Sequence, residues 1–135
     1  YARLAGDESM RSRVPWERVQ FFWGDERHVP PQDPQSNFRM IRETLLDHLL
    51  LRPDQVFRIK GEYQDPAVAA AEYERDLLNA FELPARSVPS FDLILLGLGG
   101  DGHTASLFPE TTALAERQRL AVANCPEVAV SIAPA

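Results

Sequence analysis

The chain has 135 residues, 44% hydrophobic, with 20 acidic against 14 basic side chains and a formal net charge of −6. That is apolar material for one packed domain and too little for two sizeable ones, so residues 1–135 are read as a single domain. The acidic balance argues against a nonspecific nucleic-acid surface, which needs clustered Lys and Arg, but one or two arginines can still hold a small anion. The single cysteine, Cys125, excludes an internal disulfide and suits a reducing compartment. With no secretory segment and no apolar run of membrane-spanning length, no membrane partner is expected and the cytoplasm is the expected location.

Residues 1–13 are charged and aperiodic apart from Leu4 and Met10, so they are a helix end or a solvated lead-in. Val14-Pro15-Trp16 interrupts any helix, because proline turns its predecessor away from helical geometry. Residues 16–23, rich in aromatics around Val19, are expected to form a strand ending at Gly24. Gly24-Asp25-Glu26-Arg27-His28-Val29-Pro30-Pro31 then places four ionisable side chains on the strand exit and reads as a charged loop.

Asp33-Pro34-Gln35-Ser36 reads as a turn carrying helix caps. From Phe38 the spacing becomes helical: Phe38, Ile41, Leu45 and Leu49 form one stripe, widened by Leu46, with Arg39 and Glu43 paired on the surface. His48 reads as a surface residue near the end of that helix, which Pro53 limits. Residues 56–59 are expected as a strand closed by Lys60-Gly61. Asp65-Pro66 starts a second helix, Asp65 as cap and Pro66 at the first helical position, with Ala70, Tyr73, Leu77, Leu78 and Phe81 as its buried stripe.

Phe91-Asp92-Leu93-Ile94-Leu95-Leu96 has one polar residue and is expected as a central parallel strand buried on both faces. It ends in Gly97-Leu98-Gly99-Gly100, which presents Asp101 and His103. Open parallel sheets build sites at such junctions, and the charged strand exit after residue 23 can converge on the same crevice. Residues 110–119 are polar and partly helical, and residues 120–123 and 128–132 are strand-like. Helix and strand units in succession predict the α/β class.

Gly97-Leu98-Gly99-Gly100-Asp101-Gly102 matches a dinucleotide fingerprint in letters only. Asp101 would put a carboxylate where pyrophosphate approaches, and no ribose-binding acid follows at the end of a later strand. A nicotinamide-dependent oxidoreductase is therefore disfavoured. His103 is the candidate general base, because free imidazole titrates near neutrality and can take a proton from water. Asp101 either orients that imidazole or caps a helix. Ser106 is better placed for capping or substrate contact than as a nucleophile. Arg27 is the candidate anion binder, since guanidinium makes bidentate, charge-assisted bonds to phosphate. Asp25 and Glu26 can orient it or bind ligand hydroxyls; His28 reaches an anion or faces solvent. Gly100 allows the backbone close to a ligand. No metal-ligand spacing stands out.

Gly24-Asp25-Glu26-Arg27-His28-Val29-Pro30, then Ser36-Asn37-Phe38 and Arg42-Glu43, then Leu98-Gly99-Gly100-Asp101-Gly102-His103-Thr104-Ala105-Ser106-Leu107-Phe108-Pro109 resemble the 6-phosphogluconolactonase subfamily of the glucosamine/galactosamine-6-phosphate isomerase family. The resemblance runs from residue 16 to residue 114 and fades afterward. It implies a modified Rossmann-like, three-layer α/β domain with a mostly parallel sheet, shared with glucosamine-6-phosphate deaminase and ribose-5-phosphate isomerase relatives. It also implies hydrolysis of 6-phospho-D-glucono-1,5-lactone to 6-phospho-D-gluconate in the oxidative pentose phosphate pathway, with no metal or organic cofactor. His103 then matches the water-activating base, Asp101 its acidic neighbour and Arg27 a phosphate ligand. Glu26, Asn37, Gly100 and Ser106 are expected on the substrate side.

The runner-up is an amino-sugar phosphate deaminase/isomerase. That relative carries tyrosine where Arg27 stands, and an essential acidic residue after its Asp-Gly-His segment, where this chain reads Thr104-Ala105-Ser106-Leu107-Phe108. A noncatalytic phosphosugar-binding domain is the other alternative. A whole family member starts with an upstream strand and a Ser-Gly-Gly phosphate loop, and residues 125–135 depart from the family's continuation. The domain is accordingly expected to be incomplete at both ends.

Overall fold

In the computed structural model the described residues are 1–124 and 129–132, the latter as backbone; Cys125 and Val128 lie outside them. The lead-in forms two short helices, α1 (Ala2–Gly6) and α2 (Glu8–Arg11). Asp7 caps α2, its carboxylate accepting from the Ser9 and Met10 amides. The strand expected over residues 16–23 shortens to β1 (Phe21–Phe22) behind a 3-10 turn at Trp16–Arg18. A buried side chain accounts for the loss. The Gln55 amide donates to the Trp16 and Val19 carbonyls at 2.7 Å each, so those carbonyls are satisfied without a ladder.

The charged exit, expected as a loop, contains β2 (Asp25–Arg27). Helix α3 (Asn37–Thr44) follows, with the Ser36 hydroxyl accepting from the Arg39 amide. It stops short of the predicted stripe, where Thr44 Oγ1 donates back to the Met40 carbonyl at 2.6 Å and competes with helix propagation. Leu45 and Leu46 are nevertheless buried, carried inward by a 3-10 turn at Leu46–His48.

Strand β3 (Val56–Phe57) pairs in parallel with β1, Phe21 opposite Val56 and Phe22 opposite Phe57. Helix α4 (Pro66–Ala80) begins as expected, with the Asp65 carboxylate accepting from the Ala67 amide at 2.8 Å. Its buried face is Ala69, Ala70, Tyr73 and Leu77, with Leu78 and Phe81 packed beside them. The Tyr73 hydroxyl accepts from the Trp23 amide at 2.8 Å and donates to the Trp23 carbonyl at 2.9 Å. One phenol thereby satisfies the backbone amide and carbonyl of the residue at which β1 gives way to β2. Strands β4 (Ala121–Asn124) and β5 (Ala129–Ile132) complete an antiparallel sheet in the order β2-β5-β4, with Arg27 opposite Ala129. The elements build the expected mixed α/β, Rossmann-like fold. No helix among the described residues is long and apolar enough to cross a membrane.

The expected central strand needs correction. Phe91 is packed, its ring edge-on to Phe22 at 5.4 Å and Phe81 at 5.0 Å. Beyond it, residues 92–98 enter no ladder among the described residues, and Leu93, Ile94, Leu95, Leu96 and Leu98 are 60–81% exposed. Apolar composition predicts burial only where something lies alongside. Here β1 bonds β3, and no described strand hydrogen-bonds residues 92–98 in a ladder.

Candidate active site

The cleft is assembled from the β2–α3 edge and from the glycine loop after residue 96. On the first side, Glu26 is 2% exposed and fastens strand to helix. Its Oε1 accepts from the Arg27 and Asn37 amides at 2.8 and 2.7 Å, and its Oε2 from the Phe38 amide and the Ser36 hydroxyl at 2.8 and 3.0 Å. A carboxylate at a helix N-terminus answers both the unpaired amides and the positive end of the helix dipole. Glu26, expected on the substrate side, is thus turned inward. Strand alternation puts Asp25 and Arg27 on the opposite face, and both line the cleft. No hydrogen bond or ion pair engages the Arg27 guanidinium among the described residues.

Asn37 also lines the cleft, its Nδ2 donating to Asp25 Oδ1 at 3.0 Å. Asp25 Oδ2 accepts from the Ser106 hydroxyl at 2.6 Å. Ser106 is 1% exposed, and its carbonyl accepts from Asn124 Nδ2. It does not line the cleft, and neither does exposed Gly100. His28 is drawn away, Nε2 donating to the Tyr63 carbonyl, while His48 is exposed as expected.

On the other side the loop closes on itself. Thr104 Oγ1 donates to the Gly97 carbonyl at 2.9 Å, the Gly99 amide to the His103 carbonyl at 2.8 Å, and the Gly102 amide to the Gly99 carbonyl at 3.0 Å. Gly102 has φ +89°, a left-handed conformation that glycine adopts without penalty. Gly99 serves differently: a Cβ there would collide with the His103 ring, so the imidazole rests on bare backbone. Phe108 covers the ring at a centroid distance of 4.6 Å.

Asp101 Oδ1 accepts from His103 Nδ1 at 2.5 Å and from the His103 amide at 3.2 Å. The bond from the His103 side chain, helped by the one from its amide, holds the Asp101 carboxyl below the usual carboxylate range. An ionised Asp101 fixes the proton on Nδ1, and in the neutral imidazole this leaves the lone pair on Nε2. The cleft, about 280 Å³, therefore brings the Arg27 guanidinium and an oriented imidazole to one space. A larger hollow of about 430 Å³ lies beside residues 112–119. Its backbone amides at Arg117, Gln118 and Arg119 are already taken by the Glu116 carboxylate, which leaves them nothing to offer an anion.

Of the sequence-predicted residues, Asp25, Arg27, Asn37 and His103 share the cleft, and Asp101 supports His103. Asn124, which joins Ser106 to Thr111, carried no signal in the sequence; it lies within a short apolar strand.

The family model for glucosamine-6-phosphate isomerases/6-phosphogluconolactonase matches residues 1–131. A 6-phosphogluconolactonase from Treponema pallidum is 52% identical over 100 residues, which is 73% of this chain and 40% of that protein. A crystal structure of a devB protein superposes with TM-score 0.86 at 33% identity, covering 97% of this chain and 55% of that one. The 6-phosphogluconolactonase from Trypanosoma brucei gives TM-score 0.78 at 32% identity, over 99% of this chain and 59% of that one. The chain spans about half the length of the relatives it matches. Sequence and fold agree, and the chain belongs to the glucosamine-6-phosphate isomerase/6-phosphogluconolactonase family.

Proposed function

We propose that the cleft hydrolyses 6-phospho-D-glucono-1,5-lactone to 6-phospho-D-gluconate, with His103 as general base and Arg27 as phosphate ligand. One observation carries this reading: the His103 ring, its Nδ1 committed to Asp101, shares a cleft with the Arg27 guanidinium, which is unengaged among the described residues. Nε2 takes a proton from water as the water oxygen bonds to the lactone carbonyl carbon. The carbonyl oxygen becomes an alkoxide, and when it reforms the double bond the ring C–O bond breaks. The imidazolium returns its proton to the departing ring oxygen, which opens the ring to the hydroxy acid. The Asp101 carboxylate stabilises the imidazolium between these transfers, as an acid–histidine pair does in acyl transfer. Arg27 binds the phosphate as a charge-assisted pair, and Asn37 is in place to contact the sugar.

The test is acid release from freshly generated lactone above the spontaneous rate, using this chain. His103→Ala is expected to reduce kcat by roughly 100-fold or more, the range for a lost general base. Arg27→Ala is expected to raise KM chiefly. Unchanged hydrolysis by His103→Ala overturns the base assignment. Phosphosugar binding without turnover by the parent chain assigns the cleft to a noncatalytic binding role instead.

A further inference from the structure

Asp25 stands where the two sides of the cleft meet, and its carboxylate is divided between them. Oδ1 accepts from the Asn37 side-chain Nδ2 at the start of α3, and Oδ2 accepts from the Ser106 hydroxyl of the loop, 81 residues away in sequence. Among the described residues this is the one side-chain hydrogen bond joining β2 to residues 97–108. Other bonds of that loop are largely internal, and the stretch leading into it has no ladder. Ser106 is in turn fixed from behind, where Asn124 Nδ2 bonds both its carbonyl and Thr111 Oγ1.

We propose that Asp25 is a positioning residue: by tying Ser106 to Asn37, its carboxylate sets the span between the Arg27 guanidinium and the His103 imidazole. It thereby sets which phosphosugar can have its phosphate on one and its reacting carbonyl at the other. The catalytic part of this inference rests on the lactonase reading. Both partners donate here, and the one carboxylate supplies an acceptor to each. Asp25→Ala removes both acceptors, so Asn37 Nδ2 and the Ser106 hydroxyl each lose this partner. Ser106→Ala removes only the Ser106 bond, at a side chain with no access to the cleft.

That last point separates positioning from direct contact. If Asp25 acts by touching substrate, Ser106→Ala is silent; if it acts as a clamp, Ser106→Ala reproduces Asp25→Ala. The experiment measures kcat and KM on the full chain for both variants and their double, inorganic phosphate affinity by calorimetry, and amide exchange over residues 99–107 and over α4. Each single variant is expected to lose roughly 10- to 100-fold in kcat, the size of effect that an ångström of misplacement produces. Phosphate affinity is expected to change by less than about threefold, and the double variant to be no worse than the poorer single, because both break one link. Exchange is expected to quicken at residues 99–107 and to stay unchanged in α4. Wild-type kcat in Ser106→Ala, multiplicative losses in the double, or equal quickening in α4 overturns the proposal. If the parent chain turns over no lactone, the lactonase reading falls and the exchange arm decides the clamp by itself: unaltered exchange at residues 99–107 in Asp25→Ala overturns it.

Discussion

The two stretches that build the cleft meet opposite physical circumstances. Residues 25–38 look solvated in sequence yet are fastened from within: Glu26 is buried, all its bonds are satisfied, and β2 has a ladder. Residues 91–103 look like the core of a sheet, yet the aliphatic part is exposed and only the glycine loop beyond it is ordered by its own hydrogen bonds. Polarity and apolarity are therefore poor guides to burial when taken alone. A carboxylate is buried readily when amides and a hydroxyl await it, and a leucine run stays in water when no surface covers it.

The most disruptive way to break that contrast is Glu26→Ala. It leaves the Arg27, Asn37 and Phe38 amides and the Ser36 hydroxyl without their acceptor. Each buried group left unpaired costs about 1–3 kcal/mol, and some will find water, so urea denaturation should register a loss of at least about 3 kcal/mol. A loss below 1 kcal/mol would mean that Glu26 is not the fastening. Tyr73→Phe comes next, since it orphans the amide and carbonyl of Trp23 in a dry core; about 2 kcal/mol is expected.

Burial also pushes the Tyr73 phenol well above its ordinary value of 10.0, and this carries a sign. Above pH 10 the unfolded chain releases that proton while the folded one keeps it. Folded protein then binds more protons, so stability falls as pH rises. Below pH 10 the contribution is complete. Unfolding curves across pH 9–12 should therefore be steeper in pH for the parent chain than for Tyr73→Phe, and equal slopes would remove Tyr73 from the alkaline transition.

Gly99→Ala probes the loop. A methyl group there displaces the His103 ring, while Asp101 and Phe108 limit where the ring can go. Activity should drop by roughly tenfold or more, for the reason that reacting groups tolerate little misplacement. The thermal midpoint should hardly move, because the ring is not part of the main core. A large fall in midpoint with activity retained per folded molecule would reverse that assignment.

The same contrast explains what was legible in the sequence. Helix α4 was readable to its cap, since Asp65-Pro66 and the stripe through Ala70, Tyr73 and Leu77 are local signals. The glycine loop was readable because Gly97-Leu98-Gly99-Gly100-Asp101-Gly102-His103 encodes turns and an acid–imidazole pair within a few residues. Nothing local marks Gln55 as the partner of the Trp16 and Val19 carbonyls, and so the length of β1 was overestimated. Ser106 was drawn toward the substrate by its nearness to His103, although its partner, Asp25, lies far off in sequence. Contacts of that kind are set by topology, and composition carries no trace of them.

The smallest expected effect gives the sharpest test of the comparison. Leu95 is 66% exposed, and an exposed aliphatic side chain away from special features contributes within about 0.5 kcal/mol when truncated. Leu95→Ala should therefore leave the urea midpoint of this chain almost unchanged. Were residues 92–98 the buried central strand that their composition suggests, the same change would cost about 2–5 kcal/mol through lost burial and a cavity. The two outcomes differ by several-fold and need no assumption about catalysis. Sedimentation adds a second axis: an apolar stretch without a ladder invites association, so Leu95→Glu should reduce any concentration-dependent self-association while leaving the unfolding free energy in place. A cost near that of a core leucine would restore residues 92–98 to the interior. It would also show that something in solution covers what the fold of this chain leaves open.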